Sequence, residues 1–223
     1  MSIEQEQPKQ IINENQPVSW VSWFCSLKGN EFFCQVDESY INDNFNLTGL
    51  SSQIPYYNYA ISVIRDEEIE DLDDLTEEQQ EVIESAAEML YGLIHSRYIL
   101  TPSGLQAMAK KFQNAEFGKC PHFYCEKQPC LPVGQSESLR QDTVKLFCPR
   151  CQEIYFPKLA RHSNIDGAYF GTTFPHFFLK VFPQFKPKPL LQKYTPQIFG
   201  FRLHKSVRNR KTVPKPKTKT NQN

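Results

Sequence analysis

Four of the seven cysteines fall into two close pairs, Cys120 with Cys125 and Cys148 with Cys151, and 22 residues separate the pairs. Each pair can present two sulfurs from one turn, and the intervening loop lets the two turns face each other. Four thiolates then close a tetrahedral shell around zinc, with Zn–S near ~2.3 Å. A shell filled by four sulfurs leaves no position for a reacting water, so one structural Zn per chain is expected. The competing reading is a redox pair in Cys148-Pro-Arg-Cys151, which would need a βαβ setting. Twelve of the sixteen prolines lie at or beyond Pro121, and such a stretch does not supply one. Cys130 has no close mate and reads as a spare thiol. Cys25 and Cys34 read as small buried side chains of a helical region. His122 and His162 could each replace a ligand, but four cysteines suffice.

The charges of the chain cancel: 25 Lys and Arg stand against 25 Asp and Glu over 223 residues. Residues 1–90 hold 19 acids and 3 bases, whereas residues 91–223 hold 6 acids and 22 bases. This asymmetry predicts two surfaces with different partners. An apolar share of 39% and an aromatic share of 13% are enough for a core. No apolar run approaches 18 residues, so no membrane span is expected. The start MSIEQEQPKQ has neither a basic nor an apolar signal region. Together with the odd cysteine count this predicts reduced thiols in the cytoplasm or the nucleus.

Residues 1–16 read as a disordered N-terminus and 17–115 as a helical domain. Trp20, Trp23, Phe24 and Leu27 fall on one helical stripe; Tyr40 to Leu50 and Tyr56 to Ile64 each predict a further short helix. Thr76 with Gln79 is a capping-box pattern. Val82, Ile83, Ala86, Ala87, Leu90, Leu93, Ile94 and Tyr98 then recur at helical spacing. Thr101-Pro102 predicts the start of another helix through about Gln113. Between them, residues 66–74 form an acidic loop: Asp66, Glu67, Glu68, Glu70, Asp71, Asp73 and Asp74 carry seven carboxylates in nine residues. That density reads as a solvated loop or as a sensor for polycations.

Residues 116–172 predict a small zinc-ribbon β domain of short strands and turns. Residues 173–204 hold many aromatics broken by prolines and predict an extended segment lying along another surface. Residues 205–223 carry seven bases and no acid and read as a disordered basic tail. The fold class is therefore α+β. No Gly-rich phosphate loop and no kinase motif set is present, which favours a non-enzymatic role. An alternative is a zinc-ribbon nucleic-acid binder using the basic tail, but residues 126–147 lack a basic and aromatic stripe, so nucleic acid is not the expected partner.

Several strings are long and unusual: Ser19-Trp20-Val21-Ser22-Trp23-Phe24-Cys25, Gly29-Asn30-Glu31-Phe32-Phe33-Cys34 and Asn44 through Leu50. Ala87 through His95, Arg97 through Thr101, the four paired cysteines, Asp166 through Gly171 and Phe174-Pro175-His176 continue the series. Taken together, these residues resemble the regulatory β subunit family of protein kinase casein kinase II over about residues 18–204. The resemblance implies a homodimer formed through the zinc region, with Pro121, Phe123 and Tyr155 as candidate dimer contacts. It implies recruitment of two catalytic alpha subunits of casein kinase II, giving two beta plus two alpha. The docking motif falls on Phe199-Gly200-Phe201, followed by His204, and the acidic regulatory loop falls on Asp66 to Asp74. The family usually has Tyr where this chain has Phe199. Ser2 is followed by Gln5 rather than an acid, and the sequence after His204 is unlike the family. These departures suit a diverged paralogue.

Overall fold

A computed structural model describes residues 18–68, 75–188, 190 and 197–202. The chain divides into two compact units, Met1–Pro189 and Leu190–Asn223. The first contains six α-helices, several 3-10 turns and a three-stranded sheet among its described residues, and the second a two-stranded hairpin.

Helix α1 (Trp20–Ser26) begins where Ser19 accepts the Ser22 N–H through its hydroxyl. Both carboxylate oxygens of Asp66 accept the Trp20 N–H, at 3.0 and 3.1 Å. An anion at the first turn suits the positive end of a helix. The first residue of the acidic loop is thus a distant cap of α1. Trp20 stacks on Phe24 at 5.0 Å, and both meet Tyr91.

Helix α2 is shorter than the Tyr40–Leu50 expectation: it spans Glu38–Asn42 and gives way to turns. The carbonyls of those turns are taken by arginines from elsewhere. Arg65 donates to Ile41 O at 3.0 Å, and Arg97 donates to Asn46 O and Thr48 O at 2.7 and 3.0 Å. Helix α3 (Tyr57–Ile64) then packs along α4 (Glu77–Tyr98). The capping box forms as expected: the Thr76 hydroxyl accepts the Gln79 N–H, and the Gln79 side chain accepts the Thr76 N–H. Val82 lies outside the buried face, 44% exposed. Conversely, every residue from Leu90 to His95 is buried. Neighbours surround these turns: α3, the Phe33–Val36 segment and the turn at Gly167–Tyr169.

Helix α5 (Pro102–Gln113) is capped by Thr101 and carries Pro102 at its start. The sheet that follows is an antiparallel meander of β1 (Leu131–Val133), β2 (Lys145–Phe147) and β3 (Ile154–Tyr155). Leu131 faces Phe147 and Leu146 faces Tyr155.

The segment expected to be extended from residue 173 instead opens with helix α6 (Phe174–Val181). Pro175 sits in its first turn, where no intrahelical N–H is required. The helix packs on β1 and places Phe178 against Phe112 at 5.5 Å and Phe185 at 5.8 Å, so this aromatic segment builds core on the sheet and α5. In the second unit, β4 (Gln197–Ile198) pairs with β5 (Phe201–Arg202) across Phe199-Gly200.

Gly92 lets the helical layer and the ribbon meet. A Cβ there would overlap the Tyr169 ring. Alanine is the better helix former by about 1 kcal/mol, yet overpacking costs about 1–3 kcal/mol. Gly92→Ala is therefore expected to lower the urea midpoint of the full chain; a raised midpoint would contradict this packing.

Candidate metal centre

The two cysteine pairs meet at one point. Their sulfurs all lie within 4.8 Å of one another. The first pair brackets a one-turn 3-10 helix at Phe123–Cys125, followed by Glu126 and Lys127 in the left-handed region at φ 52 and 58. The His122 N–H donates to Cys120 Sγ at 3.4 Å, and the Cys120 N–H donates to Gln128 O at 2.8 Å. The second pair turns through Gln152 at φ 60, with Gln152 N–H on Cys148 O at 2.8 Å and Cys148 N–H on Glu153 O at 3.0 Å. Pro149 is compatible with this turn because the bonding N–H groups belong to its neighbours. Arg150 joins the two turns, donating to Cys125 O at 3.3 Å and to the Glu126 carboxylate at 2.9 Å.

Cys120, Cys125 and Cys148 are buried and Cys151 is half-buried. Burial raises the Cys120 and Cys125 thiols. The adjacent Cys130 thiol, which can share its proton with Cys148, draws Cys148 down despite burial. Four sulfurs packed this closely ionise together only around a cation, because anions in a poorly solvated cluster repel. Thiolates at this count and spacing are positioned to bind a metal ion, and they fit a tetrahedral one.

The remaining predicted residues fall in different places. Pro121 is exposed and Phe123 is 86% exposed beside the first turn. Tyr155 is half-buried and turned inward, with its hydroxyl 3.4 Å from Cys151 Sγ. Ile154, its neighbour on β3, and Phe156, just past the strand, are exposed, and the sequence reading missed them. The period-two alternation of Ile154-Tyr155-Phe156 was the available signal. Phe199 and Gly200 both have positive φ, 49 and 82, so the hairpin turn is of the kind that twists with its strands. Phe199 is 97% exposed and Phe201 78% exposed.

Asp66 caps α1, and Glu67 accepts from the Ser62 hydroxyl at 3.1 Å and lies 3.8 Å from Arg65. Glu68 is exposed. Glu70, Asp71, Asp73, Asp74 and His204 lie outside the described residues, as do the ends at 1–16 and 205–223.

His95 is a structural group of the core. It is buried, its Nδ1 lies 2.9 Å from Tyr169 O, and its Nε2 accepts the Cys34 N–H at 3.2 Å. These partners assign a neutral ring with the proton on Nδ1. Burial lowers its pKa to about 4, and the Tyr169 carbonyl opposes that only in part.

A family model described as the casein kinase II regulatory subunit matches residues 19–202. Casein kinase II subunit beta-3 of Arabidopsis thaliana is 55% identical over 193 residues, 86% of this chain and 70% of that protein. Casein kinase II subunit beta of Dictyostelium discoideum is 54% identical over 199 residues, 89% of this chain and 73% of that protein. Casein kinase II subunit beta′ of Drosophila melanogaster is 45% identical over 193 residues, 86% of this chain and 87% of that protein. One match that runs from the cap of α1 through both metal-binding turns to the end of the hairpin makes this chain a member of the casein kinase II regulatory subunits, a non-catalytic family.

Proposed function

We propose that the chain binds one zinc ion through Cys120, Cys125, Cys148 and Cys151, pairs with a second copy through this module, and docks catalytic casein kinase II subunits on its C-terminal hairpin. Two beta and two alpha chains would make the assembly, and its role would be to set the stability and substrate choice of the kinase. The ion, when bound, would cross-link two turns that the strands alone hold weakly. The exposed apolar side chains beside it, Phe123, Ile154 and Phe156, supply a surface for the second copy. Cytoplasm or nucleus, where thiols stay reduced, is the compartment that suits such a site.

The observation that carries the docking role is the hairpin tip. Phe199 holds a left-handed backbone conformation that costs a non-glycine residue energy and thereby projects its ring into solvent. Two aromatics flanking a glycine match the anchors that fill apolar pockets in interfaces. Phe199→Ala with Phe201→Ala is expected to weaken capture of the catalytic subunit by about 100-fold while the zinc content and the mass of the beta dimer stay unchanged. Unchanged capture would remove the docking assignment.

The acidic loop would act as the electrostatic sensor for polyamines or polybasic proteins. Asp66 and Glu67 already serve the fold, so the sensing charges are Glu68 and the acids from Glu70 to Asp74.

A further inference from the structure

One sulfur beside the metal centre has no role in this reading. Leu131 pairs with Phe147 and Val133 with Lys145 across β1 and β2. One step along the same register sets Cys130 opposite Cys148. Opposed residues of an antiparallel pair project to the same face, with Cβ atoms about 4.5–5.5 Å apart. The Cys130 N–H also donates to Gly118 O at 3.0 Å, which ties its backbone to the segment leading into Cys120. Cys130 is therefore held between the two turns that carry the ligands, and it is 1% exposed.

Its side chain is held by soft contacts: the thiol lies 3.8 Å from Gln128 O and faces the Cys148 sulfur, with which it can share a proton. A cavity of about 380 Å³, lined among others by Pro121, Leu146 and Tyr155, opens beside it. Rotation about one side-chain bond is enough to move the sulfur, with no shift of the strand.

The four-sulfur set is also uneven. Cys151 is its one member that is not buried. The Tyr155 hydroxyl lies 3.4 Å from its sulfur and competes for its lone pairs. Water, protons and electrophiles reach this arm first.

We infer that Cys130 is an exchange ligand of the metal centre, a fifth sulfur that takes the position of Cys151 when that arm detaches. The exchange is a substitution that needs no oxidant. The Cys151 thiolate leaves the metal and takes up a proton, and Cys130 gives up its thiol proton as its sulfur bonds. The shell keeps four thiolates throughout. Each further step toward loss of the ion then has to compete with recapture of the open position by Cys130. This inference rests on the zinc reading above and adds to it a named route for retaining the metal.

The test uses the full chain loaded with zinc, beside a Cys130→Val variant that keeps all four ligands and suits a strand position. Excess EDTA is added and zinc release is followed by a chromogenic indicator. The variant is expected to start with the same zinc content and to release it about tenfold faster or more. A second arm needs only the unmodified protein: after limited alkylation with iodoacetamide, chains modified at Cys151 alone should still carry zinc in native mass spectra. Equal release rates, or loss of zinc from every chain alkylated at Cys151, would overturn the exchange while leaving the zinc site standing. A purified chain that carries no zinc would overturn both.

Discussion

Replacing Cys125 and Cys148 together by serine is expected to empty the metal centre and unfold the ribbon around it. The double change leaves one sulfur from each turn, and even with Cys130 only three sulfurs could meet the ion. Structural zinc sites contribute about 10–16 kcal/mol of apparent binding free energy, which is comparable to the whole stability of an ordinary small domain, about 5–15 kcal/mol. The strands here cannot replace that. β1 and β2 have three residues each and β3 has two, at or below the lower end of usual strand lengths. Zinc content measured by plasma mass spectrometry should fall from about one per chain to near zero. Amide protection should be lost at Leu131, Val133, Leu146 and Phe147, whereas helix signal from α4 should persist in part. Full zinc content in this variant would refute the ligand set.

The second large effect concerns His95 and acid. Its folded pKa, about 4, lies below the ordinary value of 6.5 because burial disfavours the charged ring. The unfolded chain therefore binds a proton at a pH where the folded chain does not. The stability that His95 supplies is complete above pH 6.5 and is lost progressively as pH falls toward 4. The interval corresponds to about 3 kcal/mol at its lower end. His95→Leu should cost about 3–5 kcal/mol at pH 7, since it leaves the Cys34 N–H and the Tyr169 carbonyl buried without partners. His95→Gln should restore part of that loss and give a shallower fall in stability between pH 6.5 and 4. Acid protonation of the metal thiolates affects both proteins alike, so the difference between their urea curves isolates the histidine. Parallel curves would show that the ring does not titrate in this way. Below about pH 4.5 a further loss should set in at Glu31. Burial would raise its carboxyl, but its own N–H, the Gly29 N–H, His162 and Arg161 together hold it down to about 2.

The candidate metal centre was legible in the sequence because its information is local. Four or two residues between sulfurs decide whether one turn can present both, and no distant residue alters that. The outer parts of the site were not legible. Nothing in the string marks Tyr155 as a partner of Cys151, and its alternation with Ile154 and Phe156 is three residues long. Cys130 looks isolated in sequence because its neighbour across the strand is 18 residues away. The hairpin at Phe199 was located by family resemblance, and its left-handed turn emerged only with the backbone.

By itself the sequence determined the start of α4, the start of α5 and the four clustered cysteines. Each depends on hydrogen bonds or turns within a few contiguous residues, so chain connectivity already supplies the proximity. Tertiary structure alone decided that Asp66 caps α1 across 46 residues, that His95 is buried and neutral, and that α6 is a helix packed on the sheet. The same helical layer also buries Leu90 to His95 on every side, which no apolar stripe would announce. In each case the partner lies far along the chain. Burial and register then follow from which surfaces meet, a property of the folded core rather than of any short string of residues.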